Sequence, residues 1–144
     1  MSNQDSLTEE RLPMPTLTLP RPVATEEAAI QQAMLDYAEG WYTGDMARMR
    51  RALHPALAKR ATLPADDGTM ALSEYPAEAL IARVGKNTPE AFADAPKASR
   101  VTIFAVHGNT ATGLLEMDGW TDFMHVIKVD GAWQVINILW EPNA

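Results

Sequence analysis

Three two-residue turns, Gly108-Asn109, Asp118-Gly119 and Asp130-Gly131, punctuate one run of alternating apolar residues between about residues 100 and 140. Such pairs favour the positive φ of tight antiparallel hairpins, so four strands follow, at about 100–107, 110–117, 120–129 and 132–140. A two-residue hairpin also fixes register. It pairs Val106 with Ala111 and Phe104 with Gly113, then Leu115 with Asp122 and Gly113 with Met124, and finally Val126 with Val135 and Met124 with Asn137. One face then carries Phe104, Ala111, Gly113, Trp120, Asp122, Met124 and Asn137; the other carries Ile103, His107, Phe123, His125, Ile138 and Trp140. Both are largely apolar, whereas an antiparallel sheet that met water on one side would be polar there. Each side therefore needs a cover. Helices from the first half supply one, and a second copy of the sheet across a two-fold axis supplies the other, which predicts a homodimer through the sheet face. Small Ala111 and Gly113 among Trp, Met and Phe predict a hollow on the first face. A bulge would exchange the faces beyond it, and His125 would then replace Asp122 as the inward polar residue.

The helices can be read from their period and stops. From Thr25, a candidate N-cap, Ile30, Ala33, Met34, Tyr37, Ala38 and Trp41 recur at three-to-four spacing until Gly44 offers a left-handed stop. Asp45 can cap a second helix that ends at Pro55, with Met46, Met49 and Leu53 on one side and Arg48, Arg50 and Arg51 on the other. A charged helix face needs no ligand, so the arginines read first as partners of nearby carboxylates. "LAKRATLPADDGTMAL" predicts two short strands around Asp66, Asp67 and Gly68, and a third helix is expected from about Ser73 to Val84. Residues 86–97 read as loop, and residues 1–24, with four prolines and no period, as a flexible tail. The expectation is one domain, residues 25–144, in 144 residues.

Charge and composition exclude several classes. Twelve basic against nineteen acidic residues give a net charge of −7 with no basic stripe, which argues against nucleic acid. The absence of cysteine removes thiolate chemistry and thiolate-bound metals, and it suits a reducing compartment. No leader-like start and no long apolar span are visible, so the cytoplasm is expected and the membrane is not. His54, His107 and His125 are too dispersed for a metal site, and no cofactor motif stands out.

"YAEGWYTGDMARMRRALHP", followed at a distance by "WTDFMHVIKVDGAWQVINILW", resembles the nuclear transport factor 2-like superfamily. Within it the chain is similar to the small bacterial group called "putative lumazine-binding", neighbours of the polyketide-cyclase-like (SnoaL-like) and ketosteroid-isomerase-like families. The similarity spans about Thr25 to Pro142 and is carried by Trp41, Gly44-Asp45, Leu53 to Pro55, "VDGAW" and "VINILW". It implies a cone-like, cystatin-like α+β fold: N-terminal helices packed on a strongly curved, mostly antiparallel sheet, with a pocket between them and dimers through the convex face. It implies less about chemistry, since this fold hosts isomerases, dehydratases, cyclases and proteins without catalysis.

A carboxylate on an apolar concave face loses solvation and becomes a candidate acid or base, which singles out Asp122. The ordinary alternative is an aspartate satisfied by Asn137 or by a backbone amide. Tyr37, Trp41, His54, Trp120, Met124 and Asn137 are the candidate pocket residues, although helix-face aromatics also suit a core and His54 could cap a helix end. The expected function is binding of a small, partly apolar molecule, with cofactor-free isomerisation, dehydration or cyclisation if the protein is catalytic. The alternative is a non-catalytic dimerisation or ligand-sensing domain.

Overall fold

Asp45 marks the joint between the first two helices. It is extended (φ −87°, ψ 95°), and its carboxylate accepts the Arg48 backbone N–H at 3.0 Å, so it caps the second helix as the sequence requires. The computed structural model describes residues 23–88 and 99–144. The proposed tail, apart from its last two residues, and most of the 86–97 loop lie outside them. Helix α1 (Val23–Thr43) starts two residues before Thr25 and ends at Gly44, whose φ of +70° suits glycine. Helix α2 (Met46–Ala52) stops before Leu53 rather than at Pro55, because Leu53 already pairs with Val135 as the first residue of strand β1 (Leu53–Pro64).

Strand β2 (Met70–Pro76) returns antiparallel to β1 after a turn in which Asp67 Oδ1 accepts from both the amide and the hydroxyl of Thr69. Ser73 to Pro76 pair with Ala61 to Ala58, so helix α3 (Ala77–Val84) begins later than its apolar period suggests. Strands β3 (Ser99–His107), β4 (Thr110–Met117), β5 (Trp120–Val129) and β6 (Ala132–Pro142) form the expected meander. The sheet order is β2-β1-β6-β5-β4-β3, unclosed, with β1 parallel to β6 and every other pair antiparallel. The helices lie in its curl: Ile30, Met34 and Tyr37 of α1 are fully buried against Leu115, Met124, Val135 and Ile138. Burying such side chains stabilises by about 1.5–3 kcal/mol each, which fixes the helical layer on one face of the sheet.

The turns set register as expected close to each hairpin, and two bulges change it farther along. In β3, Ile103 faces Gly113 and Ala105 faces Thr112, so Phe104 is the extra residue and turns outward. Val101 and Ile103 consequently pack on the core, which corrects the assignment of Ile103 to the outer face. The space over Gly113 is not a hollow, because a Cβ there would meet Thr102 O at 2.9 Å and Met34 Cε at 3.1 Å. In β6, Val135 faces Val126 but Asn137 faces His125, leaving Ile136 as the extra residue. Ile138 and Trp140 therefore turn inward, while Asn137 and Leu139 turn outward.

Candidate functional site

The inward alternation of β1 reads Leu57, Lys59, Ala61 and Leu63, a lysine in an otherwise apolar stripe. Lys59 lies level with Ile138 of β6, which lies level with Met124 of β5. Asp122 sits one inward step along β5, opposite Trp140. Tyr37 comes down from α1, and Lys59 Nζ donates to its hydroxyl at 2.7 Å. The ammonium also lies 5.5, 5.3 and 5.1 Å from the ring centres of Tyr37, Trp41 and Trp140, a cage that stabilises a cation through the ring faces.

Above Lys59 opens a cavity of about 270 Å³. Trp41, Trp120 and Trp140 form aromatic walls, Leu63 and Leu80 add aliphatic surface, and Ser73, Tyr75 and Arg83 complete the lining. Trp41 and Trp120 meet edge to face, with centroids 5.7 Å apart and planes at 73°. Arg83 stacks over the other side of the site, its guanidinium 5.3 Å from the Trp41 ring centre, and donates to Asn87 Oδ1 at 2.7 Å. Asn87 in turn donates to the Trp41 carbonyl at 3.0 Å, tying the end of α3 to the end of α1.

Asp122 lies beneath this lining with no solvent exposure, and neither carboxylate oxygen has a hydrogen-bond partner. Burial pushes its carboxyl up to about 6, against the smaller opposing influences of the Lys59 charge and the neighbouring Trp120 indole. That indole N–H lies close enough to influence the carboxylate but does not complete a hydrogen bond; it and the Trp41 N–H are buried without partners. Burial lowers the Lys59 ammonium from its usual range; the Asp122 charge opposes this and the Arg83 charge adds to it. Tyr37 is raised well above a free phenol, first by burial and then by Asp122. The cluster is thus a buried acid, a buried amine and a phenol, mutually coupled, with the amine facing the cavity.

Of the residues singled out from sequence, Asp122, Tyr37, Trp41 and Trp120 gather around Lys59. Met124 is fully buried in the adjoining core. His54 is in β1, away from the cavity lining, and its Nδ1 accepts the Ala56 amide at 2.9 Å. Asn137 is on the outer face, 3.4 Å from His125 Nδ1. The β6 bulge moved Asn137 and left β5 unchanged, so Asp122 stays inside and His125 outside. The helical arginines are ion-paired: Arg48 with Asp36 and Glu39, Arg50 with Glu78, and Arg51 with Asp36. Sequence reasoning missed Lys59, although its alternation with Leu57, Ala61 and Leu63 was visible. It also missed Arg83, and it placed Trp140 on the wrong face because the bulge leaves no clear local signature.

Among the described residues no cluster of His, Cys, Asp or Glu could hold a metal ion, and no helix is long and apolar enough to cross a membrane. The profile of a family described as "Putative lumazine-binding" matches residues 25–141. An NTF2-like protein of unknown function from Shewanella baltica is similar in structure, at 20% identity over 87% of this chain and 99% of its own, with a TM-score of 0.66. So is one from Silicibacter pomeroyi, at 18% identity over 85% and 99%, with a TM-score of 0.66. A protein from Novosphingobium aromaticivorans described as "Putative Scytalone Dehydratase" aligns at 15% identity over 84% and 86%, with a TM-score of 0.54. No protein of curated function matches by sequence. At these identities the structural likenesses establish a nuclear transport factor 2-like fold, and the matched profile establishes the family: the chain belongs to the "Putative lumazine-binding" family.

Proposed function

We propose that the protein binds a small, partly apolar, carbonyl-bearing molecule in the aromatic cavity and moves a proton on it without a cofactor. The observation that carries this reading is Lys59, a buried amine that lines the cavity with a phenol and a buried carboxylate behind it. Sequence reasoning gives the proton to Asp122, but Lys59 is the group within reach, since Asp122 does not line the cavity. In its neutral form, which burial favours, Lys59 takes a proton from the carbon beside the carbonyl. The enolate that forms lies against the resulting ammonium, which returns the proton to another carbon. Asp122 acts through Lys59 by compensating the ammonium, and Tyr37 fixes the direction of Nζ.

2-Tetralone, a bicyclic ketone with an acidified α-position, tests the chemistry by its exchange with deuterated solvent, followed by NMR. Wild-type protein is expected to accelerate exchange, and Lys59→Met to remove about a hundredfold or more of the acceleration, the usual scale of acid–base catalysis. Exchange at the buffer rate, with tryptophan quenching that shows the ketone bound, would instead favour the non-catalytic, ligand-sensing alternative.

A second observation favours self-association. Phe123 and Leu139 face each other on the outer side of the sheet, 54% and 55% exposed, and Phe104 adds a third large apolar side chain at 55%. Contiguous apolar surface of this kind marks an interaction face, and a second copy covers it with its own equivalent. Sedimentation should show a dimer that Phe123→Glu converts to monomer without loss of helical and sheet content. A monomeric wild type would end this reading.

A further inference from the structure

We propose that the ligand of this cavity is a planar, conjugated anion, and that Arg83 is the specificity residue that pairs with its charged end while the reacting end lies against Lys59. The inference deepens the function proposed above and rests on the same cavity. Arg83 differs from every other described arginine: Arg48, Arg50, Arg51, Arg60 and Arg100 are each paired with a carboxylate, and Arg83 is not. Its fixed partners are neutral, the Asn87 amide at 2.7 Å and the Trp41 ring, and they hold this exposed side chain against the cavity. A guanidinium so braced presents its remaining N–H donors in a planar fork suited to a carboxylate or a comparable anion.

Charge within the site points the same way. Arg83 and Lys59 line one cavity, close enough for the Arg83 charge to disfavour the Lys59 ammonium. Asp122 compensates Lys59 from behind and makes no ion pair with Arg83, so the rim is left with uncompensated positive charge on a chain whose net charge is −7. An electron-rich ligand satisfies this charge. The three tryptophan walls favour a flat ring system, and about 270 Å³ lies just below the size of sites for drug-sized ligands, which suits one or two fused rings.

The test compares 2-naphthoate with 2-naphthalenemethanol, a neutral molecule of matching shape, titrated into the full chain at low salt with intrinsic tryptophan fluorescence as the readout. Naphthoate is expected to bind about tenfold tighter or more, the scale of one charge-assisted pair. Arg83→Gln should bring the two within about twofold by weakening naphthoate alone, and Arg50→Gln, which removes an equal charge from an ion-paired surface site, should leave the ratio intact. Equal binding of both probes to wild type, or a ratio that survives Arg83→Gln or collapses equally in Arg50→Gln, would overturn the anion assignment while leaving the cavity as a binding site. Absence of binding by either probe would sink both the assignment and the site beneath it.

Discussion

Asp122→Asn is expected to be more stable than the wild type at pH 8 and equally stable near pH 4, while its proton-transfer activity falls. The wild-type carboxyl has no solvent exposure and is raised from 3.8 to about 6, chiefly by burial. Between those values the folded chain holds a proton that the unfolded chain has released, so stability falls as pH rises through the window and levels off above it. The shift corresponds to about 3 kcal/mol at neutral pH and above, relative to acid. Asparagine keeps the shape and never ionises, so it escapes that cost; part of the gain is returned because Lys59 loses the charge that favours its ammonium. Urea unfolding at the two pH values measures the effect. A midpoint difference that does not change with pH would show that Asp122 is not titrating in this window. Retaining a residue that costs stability while serving the chemistry is the trade expected of a functional site.

The same residue shows how far the sequence could be read. The turns at Gly119 and Gly131 fix the pairs Leu115 with Asp122 and Val126 with Val135, and both occur. Turn chemistry therefore made Asp122 legible as sharing one face with Ala111, Gly113 and Met124, while the choice of that face as the inward one came from its small residues. Asn137 was not legible, because the β6 bulge lies between it and the turn and one extra residue reverses every side chain beyond it. Phe104 and Trp140 exchanged faces for the same reason. The helices were legible in their apolar period, but β2 took Ser73 to Pro76 from the expected third helix, since pairing with β1 satisfies their backbone in a way local propensity cannot reveal. Lys59 and Arg83 belong to a constellation that exists only once β1 and α3 close over Trp41, so neither carries a motif of its own.

Gly44→Ala should be among the most damaging single-methyl changes at the site's support, costing about 2–5 kcal/mol. Two effects add there: a left-handed backbone costs a residue with a Cβ about 1–2 kcal/mol, and forcing atoms into filled space costs about 1–3 kcal/mol. The Cβ would overlap the Asn87 carbonyl oxygen and lie 3.0 Å from its carbon, both backbone atoms. Asn87 cannot easily retreat, because its amide donates to Val84 O at 2.9 Å and its side chain is committed to Arg83 and Trp41. Gly108→Ala is the control: φ is +59°, but a Cβ there meets nothing within 4 Å, so only the conformational cost applies. Urea midpoints should separate the two variants by the packing cost, and equal losses would show that the close approach of α1 to the end of α3 can relax. If it does not relax, the surviving folded fraction of Gly44→Ala should also lose the naphthoate preference, because the displaced Asn87 is the group that aims Arg83.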